Sequence, residues 1–184
     1  MSNNPNTFKV TLLGTASAMP VRGRNQSAQA LQVHGRLFLI DCGEGVQYSM
    51  VEHHIPMMKL DSLFISHIHG DHCFGLFGLL STMGLYHRTG DLHIYGPQNL
   101  GPILKFYLSY FGQDLGYEIV FEPLSNGKTI ALPSLNVTAF QLNHKIDCYG
   151  FRFDEVVSPR RNPWKPRSYA YVSDTAPFPE LWIM

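Results

Sequence analysis

Charge is scarce in this sequence. Asp, Glu, Lys and Arg make up only 15% of its 184 residues, where a soluble chain usually carries about a quarter, and fourteen bases balance fourteen acids. A formal net charge of zero argues against a protein that holds nucleic acid through overall basicity, although a local basic patch can do the same work. Cysteine is scarce too. Cys42, Cys73 and Cys148 are odd in number and far apart, with no Cys-x-x-Cys pair, which excludes a disulfide framework and a cysteine-based zinc knuckle. No apolar run is long enough to span a bilayer. Met1 to Asn6 is polar and lacks the apolar core of a signal peptide. The expectation is a cytoplasmic protein with no membrane association. Hydrophobic residues form 45% of the chain, enough for one globular domain with a sizeable core.

Local patterning predicts strands over 8–13, 29–33 and 37–40, the last two joined at His34-Gly35-Arg36. A turn at 41–45 leads into a short helix over 46–53. A buried strand is expected over 63–66, a glycine-containing helix over 74–86, a strand over 92–95 and an amphipathic helix over 100–111. From Glu118 onward strands are expected over 118–121, 135–142, 149–153 and 169–172. Helices alternating with strands early, then a run of strands, imply a layered α/β sandwich. Residues 155–168 form a basic, proline-rich loop.

Nine histidines are present, and their spacing is informative. His67-Ile68-His69-Gly70-Asp71-His72 places three imidazoles and a carboxylate within six residues, directly after an apolar strand. In an extended segment residues i and i+2 point the same way, so His67 and His69 can face one metal ion. Gly70 permits a sharp turn, after which Asp71 and His72 can face a second. Imidazole and carboxylate together suit Zn²⁺ or Mn²⁺. Taken alone, His144 reads first as a strand-end histidine bonded to backbone, and Asp174 as a turn aspartate, with metal ligation the second reading for each. Asp41 and Glu44 are open between orienting a ligating imidazole and simply forming a turn. His34, His53, His54, His87 and His93 lack ligand spacing, and Cys73 suits packing at a helix start.

The His-x-His-x-Asp-His motif resembles that of metallo-β-lactamase-fold hydrolases, and the surrounding segments resemble ribonuclease Z. These are Leu13-Gly14-Thr15, the loop Pro20 to Asn25, Ile40-Asp41-Cys42-Gly43-Glu44-Gly45-Val46-Gln47, Ser66 to Gly78, Asn143-His144 and Ser173-Asp174-Thr175. The resemblance implies the αββα sandwich of that superfamily, as a single domain over 1–184 incomplete at its C-terminus. It implies that His67, His69 and His144 hold one zinc, that Asp71 and His72 hold another, and that Asp174 bridges them, with Mn²⁺ as a possible substitute. It further implies that a metal-bound hydroxide attacks precursor tRNA after the discriminator nucleotide, with Asp71 as proton acceptor, and that the protein works as a homodimer. Arg22, Arg24 and Asn25 correspond to the family loop that meets phosphate. Arg160, Arg161, Lys165 and Arg167, with Trp164, are either a basic stacking patch or a solvated loop.

Two departures from the family stand out. The long arm expected between the His144-type and Asp174-type ligands is reduced to residues 145–173, and no histidine follows His144. The first sheet is therefore expected to expose an apolar face. Two other readings accompany the endoribonuclease. One is another hydrolase of this fold acting on a phosphodiester or thioester. The other is an inactive truncated form that binds metal or tRNA.

Overall fold

The computed structural model describes residues 7–112, 115–157 and 165–182. The chain divides into two compact units, Met1–Pro123 and Leu124–Met184.

The first unit is built on a six-stranded sheet whose strands lie side by side in chain order. β1 (Phe8–Gly14), β2 (Ala28–Val33) and β3 (Arg36–Ile40) are antiparallel. His34 and Gly35 join β2 to β3 with φ of 49° and 81°, the doubly left-handed turn that matches the twist of a tight hairpin. After α1 (Val46–Glu52) the chain switches to parallel pairing through β4 (Leu60–Phe64), β5 (Leu92–Gly96) and β6 (Ile119–Pro123). Parallel neighbours need crossovers. One is supplied by α2 (Gly70–Cys73) with α3 (Gly75–Leu85), the next by α4 (Leu100–Phe111).

These helices cover one face of the sheet. Leu39, Leu63 and Ile94 from the strands share a core with Met50, Leu79 and Leu104 from the helices, each worth about 1.5–3 kcal/mol on burial. In α4 the buried residues are Leu100, Leu104 and Tyr107, the i, i+4, i+7 stripe of an amphipathic helix. The opposite sheet face is not bare, contrary to expectation: Leu31, Phe38, Ile40 and Phe64 are at most 1% exposed. β4 begins and ends earlier than its apolar run suggests. The Ile65 amide still bonds the Tyr95 carbonyl at 2.8 Å, and the chain leaves the sheet at Ser66. The histidine motif therefore sits just beyond the carboxyl end of a parallel strand, the end of an open α/β sheet that carries ligand sites.

The second unit is a four-stranded antiparallel sheet in the order β10-β9-β8-β7. Its strands are β7 (Thr129–Leu132), β8 (Leu135–Gln141), β9 (Tyr149–Glu155) and β10 (Ser168–Tyr171). The pairs Val137–Phe153 and Ala139–Phe151 put these four side chains on one buried face. A smaller cluster of Phe140, Leu142 and Cys148 packs with Phe178 and Leu181. Among the described residues no helix is long and apolar enough to cross a membrane.

Candidate metal centre

Beyond β4 the chain stays extended to His69, whose φ and ψ of −66° and 146° cap the N-terminus of α2. The sharp turn expected at Gly70 is the first residue of this one-turn helix, and the His72 amide donates to the His69 carbonyl at 3.0 Å. Extended backbone before the cap and helical backbone after it bring all four motif residues together. His67 Nε2 lies 3.1 Å from His69 Nδ1, the His67 and His72 ring centroids are 4.2 Å apart, and Asp71 Oδ2 is 3.6 Å from His72 Nε2. His67, His72 and Asp71 are 0%, 3% and 8% exposed. Buried imidazoles clustered with a carboxylate fit a divalent cation by donor type.

Asp41 lies behind them, fully buried and at a φ of 55°. Its Oδ1 accepts the Ser66 amide at 2.7 Å, and its Oδ2 meets Ser66 Oγ at 2.9 Å and His72 Nδ1 at 2.7 Å. Ser66 Oγ is also 2.9 Å from His67 Nδ1. Backbone bonds lace the same turn to the motif: the Cys42 amide donates to the His72 carbonyl at 2.7 Å, and the Gly75 amide to the Cys42 carbonyl at 2.9 Å. A Cβ on Gly75 would stand 2.0 Å from the Gly43 carbonyl oxygen, so only glycine permits this approach. Glu44, by contrast, is exposed, and its amide donates to Gln26 Oε1 at 3.1 Å.

The two cysteines beside the motif are buried thiols. Burial, then Cys73 and Asp41, raises the Cys42 thiol well above its ordinary range. Burial, then Asp41 and Asp71, pushes Cys73 up to about 12. Neither has the thiolate character of a nucleophile, and Cys73 belongs to the helix-side core. Several other histidines have structural places. His34, His54 and His87 occupy turn positions of positive φ, and His53 Nδ1 meets the Ser49 carbonyl at 2.9 Å.

Of the loop expected to meet phosphate, Arg22 and Arg24 are exposed. The Asn25 side chain donates to Ser49 Oγ, and its carbonyl accepts the Thr15 and Ala16 amides, both at 2.9 Å. Asn25 thus ties the loop to α1.

In the second unit His144 and Asp174 line one concavity with Asn143, Lys145, Ser173, Thr175 and Ala176. A ring nitrogen of His144 and a carboxylate oxygen of Asp174 lie within 4.8 Å of each other. The Ala176 amide donates to the Asn143 carbonyl at 2.8 Å and the Asn143 amide to Thr175 Oγ1 at 3.0 Å, which holds the two loops together. Arg167 is engaged by Glu155: its Nε and its amide reach Oε2 at 3.0 and 2.8 Å, and this contact raises its pKa. Its charge therefore serves a carboxylate of this chain. Lys165 is exposed, and Arg160, Arg161 and Trp164 lie outside the described residues. Sequence reasoning missed Ser66 and Glu155. For Ser66 a signal existed, a polar residue closing an apolar strand; for Glu155 there was none.

A family model described as Anti-Pycsar protein Apyc1 matches residues 8–176. The chain belongs to this family. Relatives of this Apyc1-family chain include ribonuclease Z of Bacteroides fragilis, 39% identical over 155 residues that cover 83% of the chain and 51% of the relative. The chain thus spans about half the length of the curated relatives it matches. Among solved structures, the short form of human tRNase Z is 30% identical with a TM-score of 0.73, covering 79% of this chain and 64% of that one. The metallo-β-lactamase-fold protein YhfI of Bacillus subtilis, at 23% identity and a TM-score of 0.66 over 79% of this chain and 57% of that one, shares the fold. The expected resemblance to ribonuclease Z and the metallo-β-lactamase fold are both borne out.

Proposed function

We propose that this chain is the motif-bearing part of a metal-dependent endoribonuclease that removes the 3′ trailer of precursor tRNA. The observation that carries the reading is the convergence of His69 on the buried His67, Asp71 and His72, in a chain 39% identical to a ribonuclease Z. In this reading His67, His69 and His144 would hold one zinc ion and Asp71 and His72 a second, with Asp174 as a ligand shared by both. Each unit by itself supports the assignment, the first through its converging imidazoles and the second through the His144–Asp174 pair. Bound zinc or manganese supplies positive charge for the scissile phosphate and lowers the pKa of water toward ~7.

The chain's own groups supply the rest. Asp71, a carboxylate at the mouth of the cluster, accepts the proton of the attacking water. Attack on phosphorus breaks the bond to the 3′ oxygen of the discriminator nucleotide. That oxygen takes a proton, leaving a 3′-hydroxyl on the tRNA and the phosphate on the trailer. Arg22, Arg24, Arg160, Arg161 and Lys165 meet backbone phosphates. The working form is a cytoplasmic homodimer.

A second reading is favoured by one observation. Arg167 is committed to Glu155 in a chain of zero net charge, which leaves less positive surface for a large RNA and suits a small phosphodiester. A single assay separates the two. The purified chain is incubated with a 3′-extended precursor tRNA, with bis-p-nitrophenyl phosphate and with a thioester, each with Zn²⁺ or Mn²⁺. Cutting after the discriminator, reduced about 10²–10⁴-fold by Asp71→Ala, is the expected result. Turnover of the small diester alone selects the second reading, and turnover of the thioester alone overturns both.

A further inference from the structure

We infer that Asp41 is a positioning residue shared by both proposed metal subsites, one carboxylate setting the tautomers of His67 and His72 together. The inference rests on the ligand assignment above and concerns a residue outside that ligand set.

A neutral imidazole ligates through the nitrogen that carries no proton, so whatever bonds the other nitrogen chooses the ligating atom. A carboxylate only accepts. The 2.7 Å contact between Asp41 Oδ2 and His72 Nδ1 therefore places the proton on Nδ1 and keeps the lone pair on Nε2, the atom facing Asp71. The same reasoning passes through Ser66 to His67. Ser66 has one hydroxyl proton, and it is directed at Asp41 Oδ2. Its second contact, 2.9 Å to His67 Nδ1, must then run from the imidazole N–H to the hydroxyl oxygen. His67 keeps its lone pair on Nε2, 3.1 Å from His69 Nδ1. One carboxylate thus orients two imidazoles assigned to different metal ions, one directly and one through a serine.

The backbone permits this role. Asp41 sits at a φ of 55°, a left-handed conformation that aspartate and asparagine adopt more readily than other L-residues. The carboxylate is fully buried and accepts from the Ser66 amide, the Ser66 hydroxyl and His72 Nδ1. Asp41→Asn is thus an informative variant: it keeps the turn and removes a purely accepting group. Ser66→Ala separates the branches, because it removes the partner of His67 and leaves the Asp41–His72 contact.

The test has two readouts. In ¹⁵N-histidine spectra of the metal-free protein, His67 and His72 are expected as Nδ1–H tautomers. Asp41→Asn should lose both and Ser66→Ala only that of His67. In zinc titration calorimetry, Asp41→Asn should weaken both binding events by about 10–100-fold and Ser66→Ala only one. Asp41→Gly separates turn from charge: zinc affinities matching wild type would reduce Asp41 to a turn former. An Nε2–H tautomer at His72 in the wild type, or unchanged affinities in a folded Asp41→Asn variant, would overturn the inference. If the wild type takes up no zinc, the ligand assignment fails, while the tautomer spectra still decide the role of Asp41. Should Asp41→Asn not fold, the wild-type spectrum and Ser66→Ala decide it.

Discussion

In the first unit His67 is fully buried, both of its ring nitrogens have named neighbours, and the turn behind it is fastened by backbone bonds to the same short helix that carries His72. In the second unit Asp174 is exposed at a bend, and His144 sits on a loop held to it chiefly through neighbouring amides. The first arrangement is preorganised: its donors are already in place and little ordering remains to be done on binding. The second can adjust. Loops bearing exposed side chains absorb a change in side-chain length more readily than a packed cluster does.

The largest expected effect tests that contrast directly. Under the proposed function, His67→Gln should reduce cleavage by more than about 100-fold, beyond the range typical of groups that only orient a ligand. Asp174→Glu, longer by one methylene at an exposed bend, should lose only about 10-fold. Steady-state rates with matched zinc loading check this, and equal losses would erase the distinction between a rigid and an adaptable proposed ligand.

A smaller effect contrasts the backbones. Gly75→Ala drives a methyl into the Gly43 carbonyl and should cost about 3 kcal/mol. Gly127→Ala in the second unit meets nothing within 4 Å but has a φ of 77°, so about 1 kcal/mol is expected. Urea midpoints measure both. A Gly127 cost equal to that of Gly75 would show that conformational strain, not close approach, dominates.

The smallest effect concerns pH. Cys73 and Tyr117, both in the first unit, are raised to about 12, chiefly by burial. Below pH 9 the Cys73 thiol is protonated whether the chain is folded or not, and its contribution is fully present. Above pH 9 the unfolded chain releases the proton first, so stability falls as pH rises toward 12. Tyr117 adds a similar decline from pH 10. Cys73→Ala should flatten the lower part of that slope. An unchanged slope would place the alkaline loss elsewhere.

Legibility from sequence followed the range of the interactions involved. The helix at Leu100–Phe111 was expected with its observed bounds, because an amphipathic stripe is a local pattern. The motif residues were legible for the same reason, all lying within six positions. β7 was not: Thr129–Leu132 has a single buried residue, Ile130, and owes its form to pairing with β8. α2 is one turn long and opens with glycine, so helix propensity carried no signal. Asp41 stayed ambiguous because its partners lie 25 and 31 residues away, and burial cannot be read from a turn sequence. Arg167 looked like a phosphate contact because its partner Glu155 lies 12 residues back, across a loop.

That last pair has a consequence for how the molecule can vary. The connection from β9 to β10 leaves and returns at one clasp: the Glu155 amide bonds the Arg167 carbonyl at 2.9 Å while the two side chains pair. With both ends anchored, the intervening length is decoupled from the register of the hairpin. Doubling such a segment costs only about 0.6 kcal/mol in closure entropy. The Glu155–Arg167 clasp is thus a splice point, above which connections of different length are interchangeable on an unchanged sheet, and where a foreign peptide could be grafted without disturbing the strands beneath.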